Sequence, residues 1–257
     1  MNWSDAAGSN KKYEGGFHME NDKLILALDV NTLGEAEELV LALKDVVGTY
    51  KIGMQLYYGA GNKAVEMVHR HGGKVFLDLK LHDIPNTVAH AARVLTGYGV
   101  EMFNIHTSGG KEMMSRTREA VLDEAEKLGL APPLLVGVTV LTSIDDDALN
   151  TEIGIPGTSG ETVMKWTDLA FEAGLDGVVA SPREAKAIKE KYDDKLIVTP
   201  GIRPLWAAGD DQRRVLAPGQ ALEAGATHLV VGRPITKHRD PREGALKILE
   251  EMKSTRS

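Results

Sequence analysis

The sequence predicts a single-domain α/β protein of the (β/α)8 barrel class, a TIM barrel. Three observations point there. Short apolar, β-branched runs recur eight times from Leu24 onward, longer amphipathic stretches separate them, and the 257 residues match the usual length of one such barrel. Eight strands alternating with helices also fit an open doubly wound sheet. The count of eight, and the lack of a G-x-G-x-x-G after the first strand, favour closure into a barrel.

The expected strands are Leu24–Asp29, Tyr50–Met54, Lys74–Lys80 and Glu101–His106, then Pro133–Thr139, Leu175–Ala180, Lys195–Pro200 and Thr227–Gly232. Helical periodicity marks Leu33–Val47, Gly61–His71, Thr87–Gly97 and Lys111–Leu128. Ser181–Lys191 opens with Ser-Pro, an N-cap followed by proline at the first helical position. Gly72-Gly73, Gly129, Gly174 and Gly225 stand where helices should stop. Residues 1–21 are polar, rich in Gly, Ser and Asn, and aperiodic. They are set aside as a disordered leader or expression tag, with a native start at Met19, and the barrel domain is assigned to 22–257.

Composition removes several function classes. There is no cysteine, hence no disulfide framework, cysteine nucleophile or thiolate metal site, and a reducing cytoplasm fits. The net charge of −7, with no dominant basic face, argues against nucleic acid. No run approaches the roughly 20 apolar residues of a membrane span. A phosphorylated substrate would need a local cationic cluster within this acidic envelope.

In a (β/α)8 barrel the chemistry lies at the C-terminal strand ends. The polar residues expected there are Asp29, Lys51, Asp78, Lys80, Asp83, His106, Thr142, Arg203, Gln212 and Arg233. The sharpest signal is Phe76–Thr87, FLDLKLHDIPNT. Asp78 and Lys80 are two apart, so both face the barrel mouth while Leu77, Leu79 and Leu81 pack outward. Asp83 follows just beyond the strand, which Pro85 ends. A purely structural ion pair is the plain alternative, but such buried pairs contribute little stability. At the eighth strand, Gly232-Arg233 sets backbone N–H groups and a guanidinium where an anion can meet a helix N-terminus. Arg203 and Gln212 lie in the long Gly201–Ala217 stretch, whose Pro, Gly and Ala content predicts a loop able to close as a lid.

The D-x-K-x-x-D of Asp78, Lys80 and Asp83, together with LALDV, YKIGMQLYYGAG, GVTVLTS, TPGIRP and VVGRPIT in order, resembles the bacterial orotidine 5'-monophosphate decarboxylase family from about Lys23 to the end. The resemblance implies a cofactor-free conversion of orotidine 5'-monophosphate to UMP and CO₂, the last step of pyrimidine nucleotide synthesis. It implies that Lys80 protonates C6, that Asp78 opposes the substrate carboxylate, and that Lys51 bridges the ribose and Asp78. Asp83 would enter the neighbouring subunit's site in an obligate homodimer. Asp29 and Thr87 would contact ribose, and Thr142, beside Ser143, would read the pyrimidine edge. Gln212 and Arg233, with Gly232 and nearby Arg203, would hold phosphate. Loss of CO₂ leaves a carbanion at C6, so positive charge and a proton are needed there at once. Flanking carboxylates keep Lys80 charged and aimed.

Two rivals remain. A magnesium-dependent decarboxylase of the 3-keto-L-gulonate 6-phosphate type shares the barrel and D-x-K, but not the lid or TVLTS. A catalytically silent phosphate-binding barrel is expected to have lost part of the Lys51–Asp78–Lys80–Asp83 set, and all four are present. His69-x-His71 at a helix end is not read as a metal pair, nor Ser159 as a nucleophile. Asp145–Asp147 reads as an acidic first helical turn, Met113-Met114 as core, and His106 as a packing or hydrogen-bonding residue.

Overall fold

The computed structural model describes residues 21–207 and 216–254. The leader at 1–20 and Gln212 therefore lie outside the described residues. Eight parallel strands close in chain order into a barrel: β1 (Leu24–Ala27), β2 (Thr49–Gly53), β3 (Lys74–Leu81), β4 (Met102–His106), β5 (Leu134–Val138), β6 (Gly177–Val179), β7 (Leu196–Thr199) and β8 (His228–Val231). The alternation of β3 holds: Phe76 faces the barrel interior, whereas Leu77, Leu79 and Leu81 pack in the outer layer.

Two layers of core follow from that alternation. Ile25, Phe76, Met102, Val136, Val198 and Val230 fill the barrel interior, and the outer layer seals strands against helices. The interior plug makes the lower barrel a packed floor, so a ligand can enter only above it, at the C-terminal strand ends.

Helices α1 (Leu33–Leu43), α2 (Met54–Ala60), α3 (Lys63–Arg70), α4 (Pro85–Gly97) and α5 (Gly110–Leu128) follow the first four strands. The second half carries α6 (Asp146–Thr151), α7 (Ser159–Glu172), α8 (Pro182–Lys191), α9 (Pro218–Glu223), α10 (Arg233–Thr236) and α11 (Pro241–Ser254). Thr32 and Glu35 form a capping box on α1, and Ser181 caps α8 as expected. Asp145 caps α6, accepting the Ala148 N–H at 2.9 Å. Met113 and Met114 are fully buried.

Some elements differ from expectation. The helix expected over Gly61–His71 is present as Lys63–Arg70, but an unexpected helix precedes it over Met54–Ala60 and ends where Gly61 turns to φ +61°, donating its N–H to Tyr57 O. α4 begins at Pro85 rather than Thr87, since proline at a first helical turn loses no N–H bond and already has the right φ. β1 pairs only to Ala27, and Asp29 leaves the ladder to place its carboxylate on Lys51. No helix among the described residues is long and apolar enough to cross a membrane.

Candidate active site

The barrel mouth holds a cavity of about 260 Å³ lined by Lys51, Asp78, Lys80, Asn104, Thr142 and Ser143, with apolar walls from Val138, Val179 and Val230. Three charged groups that line it, with Asp29 beside them, alternate in sign. Asp29 Oδ1 lies 3.0 Å from Lys51 Nζ, which lies 3.3 Å from Asp78 Oδ2, while Asp78 Oδ1 lies 2.5 Å from Lys80 Nζ. Lys51 is 8% exposed and Asp78 9%, so the middle pair is shielded from water. Gly53, at the end of β2, makes room for it: a Cβ there would stand 3.1 Å from Lys51 Nζ and 3.3 Å from Asp29 Oδ1.

Burial by itself pushes the Asp78 carboxyl up. The charges of Lys51 and Lys80 and hydrogen bonds from Lys80 and Asn104 outweigh it, holding the carboxyl below its ordinary value of 3.8. Its contribution to stability is thus fully present above the unfolded value near 3.8 and is lost as pH falls through the lower folded value. Asp78→Asn should cost about 3 kcal/mol at neutral pH, because it leaves the buried Lys51 ammonium and the half-buried Lys80 ammonium with one partner fewer. Urea melts of the variant and the native chain should differ most at neutral pH and converge below 3.8. A difference independent of pH would refute this origin.

Lys80 adopts φ +52°, alone among the described non-glycine residues. A left-handed lysine costs on the order of 1–3 kcal/mol and persists only where its surroundings impose it. The surroundings here are a bulge. Leu77 pairs with Phe103 and Leu81 with Ile105, so three residues of β3, Asp78 to Lys80, stand opposite the single residue Asn104 of β4. Strand periodicity correctly put Asp78 and Lys80 on one face but gave no sign of the bulge, and it passed over Asn104. Asn104 is 1% exposed, and its amide donates to Asp78 Oδ1 at 2.7 Å and accepts the Lys80 N–H at 2.8 Å. A polar residue at an inward position of a buried strand, in MFNIH, was the available signal.

Other expected residues sit around this centre. Thr142 and Ser143 follow β5 and line the same cavity. Thr87 lies in the first turn of α4, exposed. Asp83 is exposed and accepts its own chain's Ile84 N–H at 2.7 Å. Among the described residues it forms no ion pair with Lys80. Arg203 and Arg233 line a second cavity of about 360 Å³ with Trp206, Lys237, His238 and Arg239, which supplies the local positive charge that the acidic chain needs for an anion. Gly232 is the N-cap of α10, but that helix is one turn long. Pro234 has no N–H, and Ile235 and Thr236 give theirs to Gly232 O. Those are the ordinary first bonds of a helix and do not engage the N–H groups of Gly232 and Arg233, the pair expected to meet an anion. The ends of the stretch carrying Arg203 are tied together by Arg203 N–H to Leu216 O at 3.0 Å, and the 208–215 part of the expected lid lies outside the described residues.

His106 ends β4 half-buried, with its ring 5.4 Å from His82. Burial, then His82 and Lys80, lowers its pKa against the opposing pull of Asp78, which favours a neutral imidazole beside the lysine. His71 accepts or donates to Glu37 at 2.8 Å, away from the mouth. No group of three or more potential metal ligands occurs among the described residues.

A packed barrel whose mouth holds an alternating lysine–carboxylate chain beside a basic pocket fits the class of enzymes that act on small anionic substrates. Comparison with known proteins identifies which. The chain belongs to the Orotidine 5'-phosphate decarboxylase / HUMPS family, whose model matches residues 22–248. It is 50% identical over 233 residues to orotidine 5'-phosphate decarboxylase of Syntrophomonas wolfei, covering 90% of this chain and 98% of that one. It is 50% identical over 232 residues to that of Moorella thermoacetica, covering 90% and 92%. The crystal structure of orotidine 5'-phosphate decarboxylase from Lactobacillus acidophilus superposes with a TM-score of 0.80 at 36% identity, covering 91% of this chain and all of that one.

Proposed function

We propose that this protein converts orotidine 5'-monophosphate to UMP and CO₂ in pyrimidine nucleotide synthesis, without a cofactor, as a homodimer in the cytoplasm. The observation that carries the reading is the Asp29–Lys51–Asp78–Lys80 chain at the barrel mouth, on a family match spanning most of the sequence.

In this reading the C6–carboxylate bond breaks, CO₂ leaves, and the bonding electron pair stays on C6. Lys80 Nζ–H then gives its proton to C6, and the resulting amine recovers a proton from solvent. Asp78 and Lys51 keep that ammonium in place, and the field of two lysines stabilises the negative charge as it develops. Asp78 also stands where the substrate carboxylate must lie. Lys51 and Asp29, with Thr87, take the ribose hydroxyls, and Thr142 reads the pyrimidine edge. Arg203, Gln212, Gly232 and Arg233 take the phosphate, whose binding energy is then available to hold the ring against Lys80. The second cavity supports this division, since its cationic lining is separate from the mixed charge of the first. Asp83, which forms no ion pair with its own Lys80 among the described residues, would complete the partner's site.

The test is purified protein with orotidine 5'-monophosphate and a chelator, followed by near-UV absorbance. Rapid loss of the orotate band is expected. Absence of turnover by folded protein overturns the reading, and activity that needs magnesium and a keto sugar phosphate would replace it with the rival decarboxylase.

A further inference from the structure

We propose that Asn104 is a positioning residue for the decarboxylation: its amide plugs the β3 bulge, holding Lys80 in its left-handed backbone and Asp78 in its orientation at the same time. The inference rests on the function proposed above. It concerns a side chain that the lysine–carboxylate chain does not include.

The geometry leaves little freedom. The bulge removes a ladder acceptor from Lys80, and an unpaired buried N–H is costly. Asn104 Oδ1 supplies that acceptor at 2.8 Å. Because the Lys80 N–H can only donate, the oxygen of the amide must face it, and the amide NH₂ must face Asp78 Oδ1, 2.7 Å away. One rigid planar group therefore sets the relation between the backbone of the proton donor and the carboxylate beside it. With the Lys80 N–H unpaired, φ +52° has nothing to hold it, and Nζ loses its fixed position over the substrate.

Asn104→Asp separates the two roles. A carboxylate keeps an acceptor for the Lys80 N–H but sets a second oxygen against Asp78 at hydrogen-bond distance. Two carboxylates so placed share one proton. With that proton present the new hydroxyl donates to Asp78 as the amide did. Once it is lost, the pair repels and the site opens. The other groups facing Asp78 are Lys51 from β2, Lys80 from its own strand, Asp29 beyond Lys51 and His106 from β4. The side chains lining the cavity from β5 to β8 carry no charge. These charged groups are common to the native protein and the variant, so their effects largely cancel in a ratio.

The experiment is kcat and KM of native protein and Asn104→Asp across the acid-to-alkaline range, with the fold checked by circular dichroism. The expected ratio of variant to native kcat rises as pH falls and drops by about 10- to 100-fold at alkaline pH, as for loss of a hydrogen bond to a charged group, while KM changes less than about threefold. A ratio flat across pH, or a loss confined to KM, overturns the proposal. If Asn104→Asp does not fold, Asn104→Ser decides: a similar drop in kcat with KM nearly unchanged supports it, and unchanged kcat overturns it. Inactivity of the native protein itself would instead sink the decarboxylase reading.

Discussion

Lys80→Ala should leave a folded barrel whose turnover of orotidine 5'-monophosphate is slower by about 10⁴-fold or more, combining a lost proton donor with a lost cation at the developing charge. Folding should survive, because Asp78 keeps Lys51 at 3.3 Å and the Asn104 amide at 2.7 Å after Lys80 is truncated. Alanine retains the cost of a left-handed φ, so the variant gains no relief of strain there. Single-turnover absorbance traces with a large excess of enzyme measure the residual rate. Substrate affinity, read by equilibrium binding to the inactive variant, should change far less than the rate, since the proposed phosphate site is the other cavity, around Arg203 and Arg233. A rate within tenfold of native would mean that the proton reaches C6 from elsewhere.

The Asp78–Lys80 pair at the barrel mouth is legible in residue spacing, for a physical reason, whereas the role of Lys80 as proton donor is what the family resemblance implies. A charged residue two positions from another on a buried strand is expensive enough to be informative, and strand alternation fixes which way both point. The barrel was legible on the same footing, because eight apolar runs separated by helical patterns admit few topologies. What escaped is what one-dimensional period cannot carry. The bulge opposite Asn104 is a mismatch between β3 and β4, invisible in either strand alone. The room beside Gly53 depends on Lys51 and Asp29 meeting across two strands. The break at Gly61 hides because the residues on both sides of it favour helix.

The second large effect concerns Asp83. Alone, this chain leaves that carboxylate exposed and bonded to its own Ile84 N–H, although it lies three residues from Lys80. Beside it, Ile84 is 66% exposed, and Met54 and Tyr58, which follow the neighbouring strand β2, are 45% and 75% exposed. Apolar side chains bared along the rim next to an active site are the expected signature of a surface that a second subunit covers. In a two-fold dimer each Asp83 would then face the other subunit's Lys80. Asp83→Ala and Lys80→Ala should each be nearly inactive alone. Unfolded together and refolded as an equal mixture, half of the dimers are mixed, and each mixed dimer owns one site with both native residues. Recovery of about a quarter of native activity is therefore expected if subunits assort at random. The recovered activity should also fall on dilution, as mixed dimers dissociate. Failure to recover any activity, with dimers confirmed by sedimentation, would place Asp83 in its own subunit's site, which requires the segment after β3 to turn back over Lys80.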